Sequence, residues 1–446
     1  MTTGKAGGHS LLLSLLMNTE KDTIGNHGPT VSLQPQPDGY FHRFHAMVKP
    51  IGSVCNLGCT YCYYLHKENL FQQPALPRMS DAILEQHVRQ YIEAQTGSEV
   101  VFSWQGGEPT LLGLEFFQTV VELQARYKKP TQRVENDLQT NGTLLNEEWA
   151  LFLKRHNFLV GLSCDGPKEL HDRHRLTKGG EPTHDKVMAA AKLLHQHKVP
   201  FNALCVVNHD NVKYPLDIYR FLTRELGVWR LQFIPCVEPK VFTHVAPQHW
   251  DPEATPLVGS PLAKPGFADS IVTDWSVDSE DWGRFLCKVW DDWYKRGDFG
   301  KIHVDLFETA VAQSLGLPAQ RCVTAEFCGK GMAVEHNGDV FTCDHYVYPA
   351  YKIGNITETH WGEMAYSDAQ KDFGFRKSRT LPGFCLECAF LKLCWGECPK
   401  NRLVRAPNGE SGLNYLCPGM KLFFTHIQRD MPDILQHVRQ ARKMNR

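Results

Sequence analysis

Cys55-Asn-Leu-Gly-Cys59-Thr-Tyr61-Cys62 places three thiols within eight residues, on a loop that follows an extended apolar run from Phe44 to Ile51. Thiolates are the usual protein ligands of iron–sulfur clusters, and a full site normally uses four. Three thiols packed this tightly can hold three irons of a [4Fe–4S] cube and leave the fourth open to a small molecule. The competing reading is a zinc site with three cysteines and a missing or distant fourth ligand. The surroundings of the loop decide between them.

From residue 44 to about 236, strand-like and helical stretches alternate. Apolar β-type runs occupy 44–51, 99–104, 133–139, 158–164, 201–207 and 230–235, and helical patterns fill 80–95, 114–127, 146–156, 184–198 and 214–226. Such alternation predicts a parallel sheet with right-handed crossovers. Six units are too few for an eight-stranded barrel, so the expected fold is α/β, an open, partial (β/α)6 barrel of the TIM type. Ligands in such folds sit at the carboxyl ends of the strands. The polar motifs fall there: the cysteine loop after the first strand, Gln105-Gly-Gly-Glu-Pro109 after the second, Thr140-Asn-Gly142 after the third, and Ser163-Cys-Asp-Gly166 at the end of the fourth. Gly106 and Gly107 lack Cβ atoms, so a ligand can approach their backbone closely, and Glu108 and Pro109 stiffen the turn. Thr140-Asn141-Gly142 reads alone as a plain turn, although Asn141 can also hydrogen-bond a ribose or a carboxylate.

The chain has 446 residues, enough for two or three domains. Its formal net charge of -1 carries no basic excess that would suggest nucleic acid or an anionic membrane. No stretch of about 20 apolar residues predicts a membrane span. Fifteen cysteines, an odd number, fall mostly into clusters at 55–62 and 322–417, which suggests metal binding in a reducing cytoplasm rather than disulfides. Cys164, Cys205, Cys236 and Cys287 are isolated in apolar surroundings and read as buried thiols. Residues 1–40 read as a polar, partly disordered leader, with Met17 as an alternative start. Residues 237–280 are proline-rich and read as a linker or lid-like loop. A helix is expected at 279–297, with Trp282, Phe285, Val289, Trp290 and Trp293 as a core face, and another in the tail, 418–446.

Beyond residue 320 the chain becomes cysteine-rich. Met332-Ala-Val-Glu-His336 and Asp339-Val-Phe-Thr-Cys343, separated by Asn337-Gly338, predict a hairpin. Eight cysteines follow residue 320: Cys322, Cys328, Cys343, Cys385, Cys388, Cys394, Cys398 and Cys417. They make up two four-cysteine sites. The run Cys385-x2-Cys388-x5-Cys394-x3-Cys398 alone also fits a zinc ribbon.

Cys-x3-Cys-x2-Cys with an aromatic (Tyr61) before the third cysteine, followed by Gly-Gly-Glu-Pro, resembles the radical S-adenosylmethionine (SAM) enzymes over about 45–236. The C-terminal pattern, Gly338-x4-Cys343, the four-cysteine run and Cys417, resembles their SPASM extension, with Cys322 matching the extra ligand of the subgroup that carries two fully ligated auxiliary clusters. Phe44 to Leu65, Trp104-Gln105-Gly-Gly-Glu-Pro-Thr-Leu-Leu112, Leu138 to Leu145 and Gly161 to Pro167 look like anaerobic sulfatase-maturating enzymes, a likeness that runs from about 42 to 430.

That resemblance implies a function. Such enzymes oxidise a cysteine or serine, within Cys/Ser-x-Pro-x-Arg of a sulfatase polypeptide, to Cα-formylglycine. A 5′-deoxyadenosyl radical derived from SAM takes a hydrogen atom from Cβ. The resemblance implies three [4Fe–4S] clusters: one on Cys55, Cys59 and Cys62, one on Cys322, Cys328, Cys343 and Cys398, and one on Cys385, Cys388, Cys394 and Cys417. It makes Asp344 the general base for the target's proton, where spacing alone suggests a hairpin-capping aspartate. It places Tyr61, Gln105, Gly106, Gly107, Glu108, Asn141, Ser163 and Arg175 around SAM, with Arg173 equally near the SAM carboxylate and the nearby histidines readable as a solvated loop. Tyr64 is assigned to the substrate. The implied partners are the sulfatase and an electron donor such as flavodoxin or ferredoxin. The expected domains are the leader at 1–40, the partial barrel at 41–237, a linker with bridging helices at 238–317, the SPASM domain at 318–430 and a helical tail at 431–446. Two rival readings are a SPASM-type maturase that forms thioether or carbon–carbon crosslinks in a ribosomal peptide, and a zinc-ribbon interaction protein without catalysis.

Overall fold

The computed structural model describes residues 44–72, 76–249 and 254–444; the leader reading of 1–40 lies outside them. The alternating pattern folds as β1 (His45–Lys49), α1 (Asp81–Ala94), β2 (Glu99–Trp104), α2 (Leu114–Tyr127), β3 (Arg133–Thr140), α3 (Glu147–Arg155), β4 (Leu159–Ser163), α4 (His184–Gln196), β5 (Phe201–Val207), α5 (Pro215–Arg220) and β6 (Arg230–Pro235). Local chemistry sets the helix starts. The Ser80 hydroxyl accepts from the Ile83 N–H at 3.3 Å, and the Asn146 amide oxygen accepts from the Trp149 N–H at 3.0 Å, each satisfying a donor that an α-helix leaves open at its first turn. The fifth helix is shorter than its pattern: α5 gives way to a π-helical turn over Phe221–Glu225.

Long-range pairing departs from the expected six-stranded layout. The stretch expected as linker and bridging helices, 238–317, contains α6 (Ser279–Lys295), a two-residue strand, β7 (His303–Val304), and α7 (Asp305–Ser314). β7 pairs parallel to β6 and extends the sheet; a strand this short has no sequence periodicity to announce it. At the other edge, β8 (Gly331–Glu335) and β9 (Asp339–Phe341) form the expected hairpin, followed by β10 (Lys352–Asn355) and then by α8 (Asp368–Arg379). β8 lies parallel to β1 over five register pairs, from His45 with Gly331 to Lys49 with Glu335. Among the described residues the result is one ten-stranded sheet in the order β10-β9-β8-β1-β2-β3-β4-β5-β6-β7. The cysteine-rich region is therefore annealed to the barrel edge, not tethered beside it.

The tail also differs from its expected form. In place of one helix, α9 (Cys417–Ile427) and α10 (Met431–Met444) meet at a break over 428–430. Pro432 explains the break, since it lacks an N–H and disfavours the α conformation in the residue before it. The aromatic face of α6 is core, as expected: Trp282, Phe285, Val289, Trp290 and Trp293 are buried. The Trp290 indole N–H donates to Asp430 at 2.9 Å, which ties the break to α6. Higher up, α9 crosses α6 at Gly283 and Gly419, so closely that a Cβ on Gly419 would strike the Ser279 carbonyl. Gly419→Ala should therefore force the two helices apart and cost about 1–3 kcal/mol. Urea denaturation would show a lowered midpoint, whereas Thr425→Ala on the exposed face of α9 should leave it unchanged.

Candidate active site

Strand ends β1 to β4 bring the sequence motifs together. After β1 the chain turns through Ile51–Val54 and enters the cysteine loop. The strand end after β2 docks onto that turn: the Gln105 N–H donates to the Val48 carbonyl at 2.8 Å, Gly107 N–H to Gly52 at 2.8 Å, and Glu108 N–H to Val54 at 2.9 Å. A Cβ on Gly106 would stand 2.9 Å from the Gly52 carbonyl oxygen, and one on Gly107 would coincide with the Val54 carbonyl. The glycine pair was expected to admit a ligand; its Cβ positions admit the cysteine loop's own backbone.

Glu108 is buried beneath this junction. Its carboxylate accepts from the Thr110 N–H at 3.1 Å, the Thr110 hydroxyl at 2.6 Å, the Thr140 hydroxyl at 2.7 Å and the Asn141 N–H at 2.7 Å. Burial raises its pKa, and these hydrogen bonds oppose that rise. The carboxylate thus braces β2 to β3. Asn141 does not stand free either. Its amide N–H donates to Asn56 at 2.9 Å, its oxygen accepts from the Thr143 N–H at 2.9 Å, and Asn56 donates to the Thr143 hydroxyl at 2.8 Å. This ring holds the cysteine loop beside Cys55.

Burial pushes the Cys55 thiol up to about 11 and Cys59 to about 12, and the Arg175 guanidinium is the charge that most strongly opposes the shift at Cys59. A cation beside three mutually facing thiols favours the thiolates that a cluster requires. Arg175 is buried and paired with Asp165 at 3.1 Å; Arg173 is exposed and turned to Asp210 at 3.0 Å. Of the two arginines, the structure brings Arg175 to the site. Asp165 also accepts from the Tyr61 hydroxyl and from the Val206 N–H at 3.0 Å. The sequence reading passed over Asp165, although it lies in the quoted strand-end motif. Ser163 is buried at the end of β4. The solvated-loop reading of the histidines fails for His171 and His174, which are buried. His171 accepts at Nδ1 from the Asp165 N–H at 3.3 Å, and His174 bonds Asp210 at 2.8 Å.

Across the mouth stands Asp344, in the 3-10 turn Asp344–Tyr346 after β9. It is ion-paired with Lys49 and accepts from the Tyr63 hydroxyl at 2.6 Å. Burial would raise its pKa, but Lys49, His345 and Tyr63 outweigh burial and hold it below the usual carboxylate value. Tyr64 is buried, donates to Glu335 and has the Lys49 ammonium 4.5 Å from its ring centroid. Lys49, Tyr63 and Glu335 were not singled out from the sequence. Lys49 is nonetheless the one charged side chain of the 44–51 run other than its histidine, and that was a usable signal.

The remaining cysteines form two groups. Cys343 faces Cys322 and Cys398, and Cys398 in turn faces Cys328 and Cys322. Cys417 faces Cys394, Cys385 and Cys388, and these four line a cavity with Phe384, Phe390 and Phe424. Among the described residues no three Cys, His, Asp or Glu side chains close on a point as one metal ion would need. The thiols ring a space instead, and four thiolates set around a space suit an iron–sulfur cube. Cys164, Cys205, Cys236 and Cys287 are buried, as expected.

Residues 50–222 match the radical SAM superfamily and 322–389 an iron–sulfur cluster-binding domain, SPASM. A serine-type anaerobic sulfatase-maturating enzyme of Bacteroides thetaiotaomicron is 43% identical over 86% of this chain and 89% of its own length. A cysteine-type enzyme of Clostridium perfringens is 33% identical over 85% of this chain and 95% of its own. The structure of native anSMEcpe with bound AdoMet and Cp18Cys peptide superposes with a TM-score of 0.74 at 31% identity, covering 88% of this chain and 99% of that one. SuiB bound to its precursor peptide SuiA shares the fold, with a TM-score of 0.56 at 15% identity over 84% of this chain and 76% of that one. These likenesses agree with the cysteine loop, the braced strand ends and the two rear thiol groups: the chain belongs to the anaerobic sulfatase-maturating enzymes, radical SAM oxidoreductases that use SAM and [4Fe–4S] clusters.

Proposed function

We propose that this protein oxidises a serine or cysteine of a sulfatase polypeptide, within Cys/Ser-x-Pro-x-Arg, to Cα-formylglycine, with Asp344 as the general base. One observation carries the reading: a buried carboxylate, oriented by Lys49 and by the Tyr63 hydroxyl at 2.6 Å, stands at the same mouth as the Cys55–Cys62 loop. Its motif neighbours support the assignment of Tyr61, Gln105, Gly106, Gly107, Glu108, Asn141, Ser163 and Arg175 to the SAM side. Glu108 and Asn141 act there by bracing the backbone that SAM meets.

Cys55, Cys59 and Cys62 would hold the first cluster. Cys322, Cys328, Cys343 and Cys398 would hold the second, and Cys385, Cys388, Cys394 and Cys417 the third. When bound, the first cluster would pass an electron to SAM, whose cleavage to methionine would supply the 5′-deoxyadenosyl radical that takes the Cβ hydrogen atom, and the auxiliary clusters would supply an acceptor for the second electron. Asp344 takes the proton of the target hydroxyl or thiol. Lys49 keeps that carboxylate ionised and fixed, and Tyr64, pinned by Glu335, forms the wall against which the target side chain lies. A small electron-transfer protein of the flavodoxin or ferredoxin kind, in a reducing cytoplasm, would feed the first cluster. Among the described residues no helix is long and apolar enough to cross a membrane.

Anaerobically reconstituted protein should carry about twelve irons, three cubes of four. Cys398→Ala should lose iron from the second cluster and spare the first. An iron count near four in the unaltered chain, or zinc in its place, defeats the two-auxiliary-cluster assignment. Because identity is higher to the serine-type relative, a Ser-x-Pro-x-Arg peptide is the first to test and its cysteine counterpart the second. With SAM and reductant, mass spectrometry should show either peptide losing mass as its side chain becomes an aldehyde. Asp344→Asn should keep SAM cleavage and lose product by about 100-fold or more; full product formation would remove Asp344 as the base. A peptide that gains a crosslink in place of an aldehyde would favour the crosslinking maturase.

A further inference from the structure

Beside the base lies a second polar group that the reaction, as derived so far, does not use. Lys67 is 1% exposed, and its amine has no hydrogen-bond partner among the described residues. It stands 3.1 Å from the ring centroid of Tyr348, on the ring face. Glu238, Glu335 and Asp344 are its principal anionic neighbours, and Lys400 opposes them. Each of these carboxylates is already engaged: Glu238 by Lys400, Glu335 by Tyr64 and Asp344 by Lys49. Burial lowers the Lys67 pKa to about 6 despite their attraction. A buried amine without an acceptor is costly, and a fold retains such a group where something supplied from outside completes it.

A cleft opens beside Tyr348, the ring on which the Lys67 amine rests. Tyr63, Pro239, Phe242, Pro247, His345 and Tyr348 line it together with the Glu238–Lys400 ion pair. Tyr63 is the same residue that donates to Asp344, so the cleft opens directly beside the base. Its wall is aromatic and proline-rich, and beside its filled polar groups stand unfilled ones. Both ring nitrogens of His66, which stands edge-on to Phe242 at 4.9 Å, lack partners among the described residues, as does Nδ1 of His345. Unfilled hydrogen-bonding groups beside apolar ring faces suit an extended peptide, which offers a carbonyl oxygen at every residue and apolar side chains between them.

We propose that Lys67 is a substrate-positioning residue: when the sulfatase segment lies along Phe242 and Tyr348, the Lys67 amine donates to one of its main-chain carbonyl oxygens, the missing acceptor. The inference rests on the sulfatase-segment reading above. Lys67 touches no reacting atom; it sets the register of the segment, and so which side chain reaches Asp344.

The test uses the reconstituted full chain with a Ser-x-Pro-x-Arg peptide. Leaving a buried peptide carbonyl without its donor should raise KM for the peptide about tenfold in Lys67→Met, with kcat little changed. Iron content and peptide-independent SAM cleavage should stay at the level of the unaltered chain, and Lys67→Arg should restore part of the affinity. At the same time, Lys67→Met should raise the melting temperature of the peptide-free protein, because a buried amine without an acceptor is gone. A structural lysine would give the opposite sign. Lys67→Gln, which keeps a donor, serves as the second variant if Lys67→Met does not fold. An unchanged KM, or a lowered melting temperature in both variants, overturns the role of Lys67 while the wider reading stands. Failure of the unaltered chain to convert any such peptide overturns both.

Discussion

The parallel pairing of β1 with β8 is the contact on which the site depends. β1 ends in Lys49 and leads into the cysteine loop; β8 ends in Glu335 and leads through β9 to Cys343 and Asp344. Register alone places Lys49 opposite Glu335. From there Lys49 reaches Asp344, and Tyr64, two residues past Cys62, reaches Glu335. A slip of one residue would turn both side chains to the other face of the sheet. The base of one region and the cluster loop of the other would then no longer share a mouth.

A second constraint works below the mouth. The cysteine loop makes few hydrogen bonds within itself, so neighbouring segments hold it. Three N–H groups from Gln105, Gly107 and Glu108 grip the backbone that leads into it. The Asn56–Asn141–Thr143 ring holds its first cysteine, and Glu108 ties that ring to β2. The glycine pair belongs to this bracing. With the backbone of Val54 occupying the Cβ position of Gly107, any side chain there displaces the loop. Preorganisation of this kind is what a reactive cofactor requires of a protein, since the cofactor supplies the chemistry and the fold supplies position and exclusion.

Polar groups at the mouth divide into filled and unfilled. Asp165, Arg175, Tyr61, Asp344 and Glu335 are each engaged by named partners. Lys67 and His66 are not, among the described residues. Filled groups fix geometry before any ligand arrives. Unfilled ones mark where a ligand's own polar atoms are expected.

Most of the architecture was legible in the chain. β2, β5 and β6 begin and end where their apolar runs do, and the Asn337-Gly338 hairpin and the aromatic face of α6 came from local periodicity and turn chemistry. Such patterns are short-range, and one sequence contains them in full. The same holds for the thiol spacings and the strand-end motifs, whose residue types announce their chemistry. What only the tertiary structure decided is partnership: that β8 joins β1, that β7 extends β6, that Arg175 and not Arg173 turns to the cysteines, and that Glu108 braces its neighbours. It also decided that Lys67 stands beside the base without a partner. Pairing across nearly three hundred residues depends on which faces are left to bury once the local elements exist, and a side chain's role depends on what that burial brings against it. Neither is written in the spacing of residues along the chain.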